Sequence, residues 1–255
     1  MVALDGPAGS GKSTVARRTA QALGWRFVDT GATYRAVTLH VLRSGVPTDD
    51  AEAVARVAGE ARVALGVDPA SPRVWLDGED VSSEIRGPEV TAAVSAVSAV
   101  AAVRARLVLL QRQLMGTQGA VVEGRDIATV VAPDAAVKVY LDAREDVRAR
   151  RRAAQSVKTL VDGPGSEAAS AASRHTDGVR NRNAEQAVQE AIRRRDSLDN
   201  QTNKLAVSDG ALHLDTSELT LEEVVAVLVA RVRDAGLTED LPSNGLTASP
   251  PGAPA

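Results

Sequence analysis

The chain contains no cysteine, which excludes disulfides and thiolate-bound metals and fits a reducing compartment. Aromatic residues are only 2% of its 255 residues, so alanine, valine and leucine must fill any core, and the 44% hydrophobic content supplies them. One main domain with insertions is expected at this length. No uncharged apolar run reaches the roughly 18 residues of a membrane span. The opening MVALDG lacks the basic and apolar regions of a secretory signal. A cytoplasmic protein without membrane contact is therefore expected, and its first strand is so short, Val2 to Leu4, that a trimmed start is compatible with it. Excess positive charge is missing too. With 30 basic and 33 acidic residues the formal charge is −3, which argues against a nucleic-acid-binding surface, and any basic patch must be local. There is no internal repeat. The guanine-reading N-K-x-D pattern is also lacking, because Asn203-Lys204-Leu205 is followed by Ala206.

What the chain does have is GPAGSGKST at residues 6–14, which satisfies G-x-x-x-x-G-K-[ST] at Gly6, Gly11, Lys12 and Ser13. It follows a short apolar run ending in Asp5 and precedes a helical pattern, the setting a phosphate-binding loop needs. Gly6, Pro7, Ala8, Gly9, Ser10, Gly11, Lys12, Ser13 and Thr14 would turn the backbone so that successive amides face an anion, and the dipole of the helix opening at Lys12 would add positive potential. Lys12 is expected to reach the β- and γ-phosphates of ATP, and the Ser13 hydroxyl to ligate Mg²⁺.

The remaining elements alternate. Periodicity predicts a helix over 12–23 stopped by Gly24, a strand over 26–28, and a second helix capped by Asp29 and Thr30. A helix over 49–64 follows, then a hairpin turning at Asp77-Gly78. Pro88 opens an Ala/Val-rich helical pattern to about Leu114. Strands are predicted at 120–123, 137–141 and 211–214. The helix over 143–154 carries Arg144, Arg148, Arg150, Arg151 and Arg152, candidate phosphate clamps, and DTSELTLEEVV reads as a capped final helix. Residues 155–183 read as a mobile cover, with a helix at about 184–199 beyond it. Such alternation implies an α/β fold, a parallel doubly wound sheet with helices on both faces and ligands at its C-terminal edge. The expected division is a core over 1–237, an insertion over 36–84, a lid over 150–184 and a disordered tail over 238–255.

Taken together, GPAGSGKST, DTGATYRAVT, EGRDIATVVAPDA, VKVYLDA and RRRDSLD resemble the bacterial cytidylate kinases in order and spacing, over roughly residues 1–230. The resemblance implies a P-loop nucleoside monophosphate kinase fold with a nucleotide-binding insertion and a lid. The activity it implies is Mg²⁺-dependent transfer of a phosphoryl group from ATP to CMP or dCMP. It also implies a catalytic set of Lys12, Arg125, Arg148 and Arg152, and an acceptor set of Thr30, Arg35, Ser95, Arg104, Arg125, Asp126, Arg195 and Asp199. Arg35 and Arg125 would grip the acceptor phosphate, as planar guanidinium forks can. Asp126, with Arg104 and Ser95, would read the cytosine edge, and a uracil carbonyl would face a carboxylate there. Arg195 and Asp199 would meet the sugar. A monomer is expected.

Two departures stand out. The family's D-x-x-R arrangement becomes DNQT, with Thr202 in place of an arginine and Lys204 two residues on as a point charge only. In addition, Ser95 and Arg104 are nine residues apart, about 900° on a straight helix, and therefore on opposite faces. Both can reach one base only if the helix breaks near 98–102, where the family commonly has proline and this chain has Ala101. Two rival readings are another small-molecule P-loop kinase of UMP type and a non-catalytic nucleotide-binding or sensing protein.

Overall fold

The computed structural model describes residues 1–161, 197 and 208–237. The expected lid beyond 161, most of the helix expected at 184–199, Arg195, Asp199, Thr202, Lys204 and the tail over 238–255 lie outside the described residues. In chain order the elements are β1 (Val2–Asp5), α1 (Lys12–Leu23), β2 (Arg26–Asp29), α2 (Thr30–Arg43), α3 (Ala51–Glu60), β3 (Val63–Leu65), β4 (Val74–Leu76), β5 (Glu79–Asp80), α4 (Pro88–Ala99), α5 (Ala101–Met115), β6 (Ala120–Glu123), β7 (Val137–Asp142), α6 (Glu145–Val161), β8 (Leu212–Asp215) and α7 (Leu221–Asp234).

Among these, β2, β6, β1, β7 and β8 form a wholly parallel sheet in that order. Side chains alternate across it. Val2 and Leu4 point to one face and pack with Val15, Ala16 and Ala20 of α1 and with Val224, Leu228 and Val232 of α7. Ala3, Val28 and Val122 point to the other, against Met115, Ile127 and Val131. As the scarcity of aromatics requires, Trp25 and Phe27 are the only rings in these two clusters. β1 lies at the centre with β6 and β7 on either side, so the chain reverses direction around its C-terminal end, where α/β sheets bind ligands.

A second, antiparallel sheet of β3, β4 and β5 lies beside α2 and shares a cluster with α2–α5. Its hairpin turns at Asp77 (φ 53°) and Gly78 (φ 91°), the paired left-handed residues a two-residue turn demands. The helix expected over 49–64 ends earlier, at Glu60. Ala61 is already extended, Arg106 donates to the Ala58 and Ala61 carbonyls that end α3, and the next residues pair with β4. Helical propensity gives way there to cross-strand pairing.

The expected break in the long Ala/Val helix is present. Val100 is extended (φ −70°, ψ 119°), and α4 and α5 meet at 99°. Val90 and Val97 on α4 and Val103 and Leu107 on α5 are buried in one core, while Val94 lines the cleft. On a straight helix Val97 and Val103 would lie about 240° apart, so the bend lets both face inward. No single helix among the described residues is long and apolar enough to cross a membrane.

Candidate active site

The C-terminal ends of β1 and β6 open into a cleft of about 710 Å³, walled by residues 8–15, α2, α4, α5 and the start of α7. The loop between β1 and α1 forms its floor. Gly6 has φ 149°, and a Cβ there would stand 2.0 Å from the Leu141 carbonyl oxygen. At Gly9 (φ 79°) it would stand 2.7 Å from the Arg148 carbonyl oxygen. Only glycine lets the loop lie this close to β7 and α6. Lys12 is buried and its Nζ donates to the Pro7 carbonyl (2.8 Å), arching over the loop. The Ser10 hydroxyl is buried with no hydrogen-bond partner among the described residues, an orphan that an anion in the loop would satisfy.

Ser13 Oγ donates to Glu123 Oε1 at 2.6 Å. Glu123 ends β6 and is buried. Burial, then the neighbouring Asp29 carboxylate, pushes its pKa up to about 7, against the pull of Lys12 and of the Ser13 hydroxyl. Asp29 caps α2 through Ala32 N–H (2.9 Å) and accepts from Arg86 at 3.4 Å. Ser13, Glu123 and Asp29 thus gather hard oxygen donors beside the loop, the chemistry Mg²⁺ takes when it keeps its waters and leans on substrate phosphates.

Asp5 explains the shape of the other wall. Its carboxylate accepts the N–H groups of Ile127 and Ala128, both at 2.8 Å, and so caps from a distance the π-helical turn over Ile127–Val131. Burial raises its pKa and these two bonds oppose the rise. The residues just before that turn are thereby fixed, so that Arg125 donates to the Gly6 carbonyl and Asp126 accepts from Arg104 in a largely buried ion pair.

Of the candidate clamps, Arg144 just before α6 pairs with Glu218 and Arg150 on α6 with Asp146 (2.8 Å), and neither lines the cleft. The other candidates from the sequence that fall in the described part converge here, with two exceptions. Thr30, Arg35, Ser95, Arg104, Arg125, Asp126 and Arg152 all line the cleft. The bend at Val100 brings Ser95 and Arg104 to it together. Arg35 is buried and donates to the Ile85 carbonyl and to Thr91 Oγ1, both at 3.0 Å; Thr30 is the first residue of α2 rather than its cap, and its hydroxyl donates to the Glu123 carbonyl (2.7 Å). The first exception is Arg148, which does not line the cleft and donates to the Ala8 and Ala143 carbonyls behind the loop. The second is the pair Gly6 and Pro7, which shape the loop without lining the cleft.

Sequence reasoning did not single out Arg86 or Glu123, read Asp29 only as a helix cap, and named Arg151 only among the candidate clamps of the basic helix. Arg86, Arg125 and Arg152 stand close enough that burial and then mutual repulsion depress the Arg152 pKa. Arg151 donates to the Ser10 carbonyl and to Thr216, joining the loop to the turn before α7. A signal for Glu123 was available: it ends the strand before the GRD stretch, beside the loop strand, where P-loop proteins place a metal-side carboxylate.

A parallel sheet with β1 at its centre, a glycine loop running into α1 and a second lobe across a cationic cleft define a P-loop nucleoside monophosphate kinase. The sequence model of the cytidylate kinase family matches residues 2–234. The cytidylate kinase of Mycolicibacterium paratuberculosis is 48% identical over 236 residues, 91% of this chain and 95% of the relative. That of Rhodococcus opacus is 47% identical, covering 92% and 95%, and that of Caldanaerobacter subterraneus 41%, covering 91% and 94%. The chain belongs to the cytidylate kinase family.

Proposed function

We propose that this chain transfers the γ-phosphoryl group of ATP to CMP or dCMP, giving ADP and CDP or dCDP. The observation that carries the reading is the Arg104–Asp126 pair, held in the same cleft as the phosphate-binding loop. A carboxylate there accepts from the cytosine amino group, and its guanidinium partner donates to the N3 and O2 side of the base. Uracil would turn a carbonyl toward Asp126, leaving two acceptors facing each other.

The donor triphosphate lies along residues 6–14, its charge met by backbone amides, by the α1 dipole and by Lys12, which exchanges the Pro7 carbonyl for phosphate oxygens. Arg35 and Arg125 grip the acceptor phosphate as bidentate forks, and Arg86 and Arg152 complete the positive wall between donor and acceptor. Two anionic groups approach each other only where such fixed cations cancel their repulsion. Positioning and charge neutralisation therefore supply most of the catalysis, and no protein nucleophile is required. Arg148 serves by bracing Ala8, and through it the loop. Ser13 would hold Mg²⁺ directly, with Glu123 and Asp29 taking its waters; the ion supplies neutralisation of β- and γ-phosphate charge. The lobe over 36–84 receives the monophosphate, residues 150–184 cover the reacting groups, and Arg195 and Asp199 hold the sugar. All these contributions come from one chain, which supports action as a monomer, in the cytoplasm where its nucleotides are held.

Replacing Asp126 by Asn tests the base reading, because an amide donates as well as accepts. The Asp126→Asn variant is expected to lose about 10²-fold in kcat/KM for CMP and to gain activity on UMP. A variant whose CMP to UMP preference matched the parent would contradict the assignment.

A further inference from the structure

We propose that Thr91 is a positioning residue for the reaction, acting through Arg35: its hydroxyl orients the guanidinium that grips the acceptor phosphate. The inference rests on the reading of the cleft as a cytidylate site with Arg35 on that phosphate. Thr91 lies in the first turn of α4, half-buried and outside the lining of the cleft. Arg35 lies on α2, buried but reaching the cleft.

Arg35 Nη1 donates to Thr91 Oγ1 and to the Ile85 carbonyl, both at 3.0 Å. A terminal guanidinium nitrogen carries two hydrogens, and these two acceptors match them. Two acceptors from different elements at one nitrogen fix the plane of the whole group. A phosphate gripped as a fork therefore meets the edge formed by Nε and Nη2, where two oxygens are taken at once. The two acceptors differ in origin. Ile85 supplies a backbone carbonyl from the turn over Glu84–Arg86, which any residue there would provide, whereas the second acceptor exists only because position 91 carries a hydroxyl. Its neighbours on α4 are Val90 and, a turn later, Val94, so packing alone would be served by valine, which has the same shape.

At 100° per residue, Thr91, Ser95 and Ser98 fall within about 60° of one another on α4. Ser95 and Ser98 line the cleft, and Ser98 donates to the Ser95 carbonyl at 3.0 Å. One turn of the helix thus orients the phosphate grip, and the next carries the serine assigned to the base edge. Through Arg35 the same hydroxyl ties α4 to α2 and to the turn that carries Arg86, which also lines the cleft. Two cations of the acceptor wall therefore take their places from one set of contacts.

The test compares Thr91→Val, which removes the acceptor and keeps the shape, with Thr91→Ser, which keeps the acceptor, both in the full chain. Steady-state kinetics with Mg-ATP and CMP or UMP would be paired with calorimetric CMP binding. Thr91→Val is expected to lower kcat/KM and affinity for CMP roughly five- to thirtyfold, the worth of one hydrogen bond to a charged group that Ile85 still partly holds. The KM for ATP should stay within about twofold, and so should the preference for CMP over UMP, because both acceptors bring the same phosphate. Thr91→Ser should return kcat/KM to within about threefold of the parent. A loss that serine does not restore, an altered CMP to UMP preference, or a Thr91→Val variant that melts at a lower temperature while keeping its CMP parameters would overturn the proposal. If Thr91→Val does not fold, Thr91→Ala removes the same acceptor and decides on the same readings. A parent enzyme that fails to use CMP would instead sink the function reading, so the two failures are distinct.

Discussion

At the scale of single residues the site is a set of charges held against their preference. Glu123 is buried beside Asp29 with its pKa raised from the ordinary carboxylate value to about 7. Between those two values the folded protein binds a proton that the unfolded chain releases, so stability falls as pH rises through that window. Without nucleotide or divalent metal, the melting temperature is expected to drop by a few degrees as pH rises from about 5 to 7.5, and Glu123→Gln should flatten that slope. A parallel decline in parent and variant would assign the pH dependence to other groups. The same scale shows what could be read from the sequence alone. Lys12, Arg35, Arg125 and Asp126 were legible as cleft residues because each sits in a recognisable motif, whereas Arg104 came only from the resemblance. Arg86 was not legible, because what fixes it in the cleft is a 3.4 Å pairing with Asp29 across 57 residues of chain that no local pattern records.

Among the elements, the bend between α4 and α5 decides whether Ser95 and Arg104 share the cleft. Its place was legible from the nine-residue spacing of Ser95 and Arg104. Its cause was not, since burial of Val97 and Val103 in one core takes the place of proline. Val100 already has the extended backbone that a following proline requires, and Ala101 opens α5, where an N–H has no intrahelical partner. Ala101→Pro is therefore expected to stabilise the protein by about 0.4–1 kcal/mol with kinetics unchanged, as seen by denaturant titration and CMP turnover. Destabilisation would mean that Ala101 N–H or its φ is otherwise committed. The π-helical turn over Ile127–Val131 was invisible in the sequence for a similar reason. Its cap, Asp5, is supplied from another strand, and nothing within IATVV announces it.

Over the whole molecule, the glycine loop at the C-terminal end of the sheet lies across the cleft from a second lobe, so occupied nucleotide sites should add to stability. ATP and CMP each at 100 times their Kd are expected to contribute about 2.7 kcal/mol apiece if they bind independently, a rise of roughly 5–10 °C per ligand for a domain of this size. A thermal melt in which CMP gave no shift would deny an acceptor site. The α/β order, the parallel sheet and the phosphate loop were legible because hydrophobic period and glycine spacing are local. The division of the chain into lobes was less so. The small sheet forms by pairing across an interval that helical propensity had claimed up to residue 64. The measurement that bears most directly on the central claim is ADP release from Mg-ATP by the purified full chain with CMP, dCMP, UMP, AMP or no acceptor, with Lys12→Ala as the control. Turnover is expected to depend on acceptor, to be led by CMP and dCMP, and to be lost in the control by at least about 10²-fold. ADP release equal with and without acceptor, or led by UMP or AMP, would contradict it.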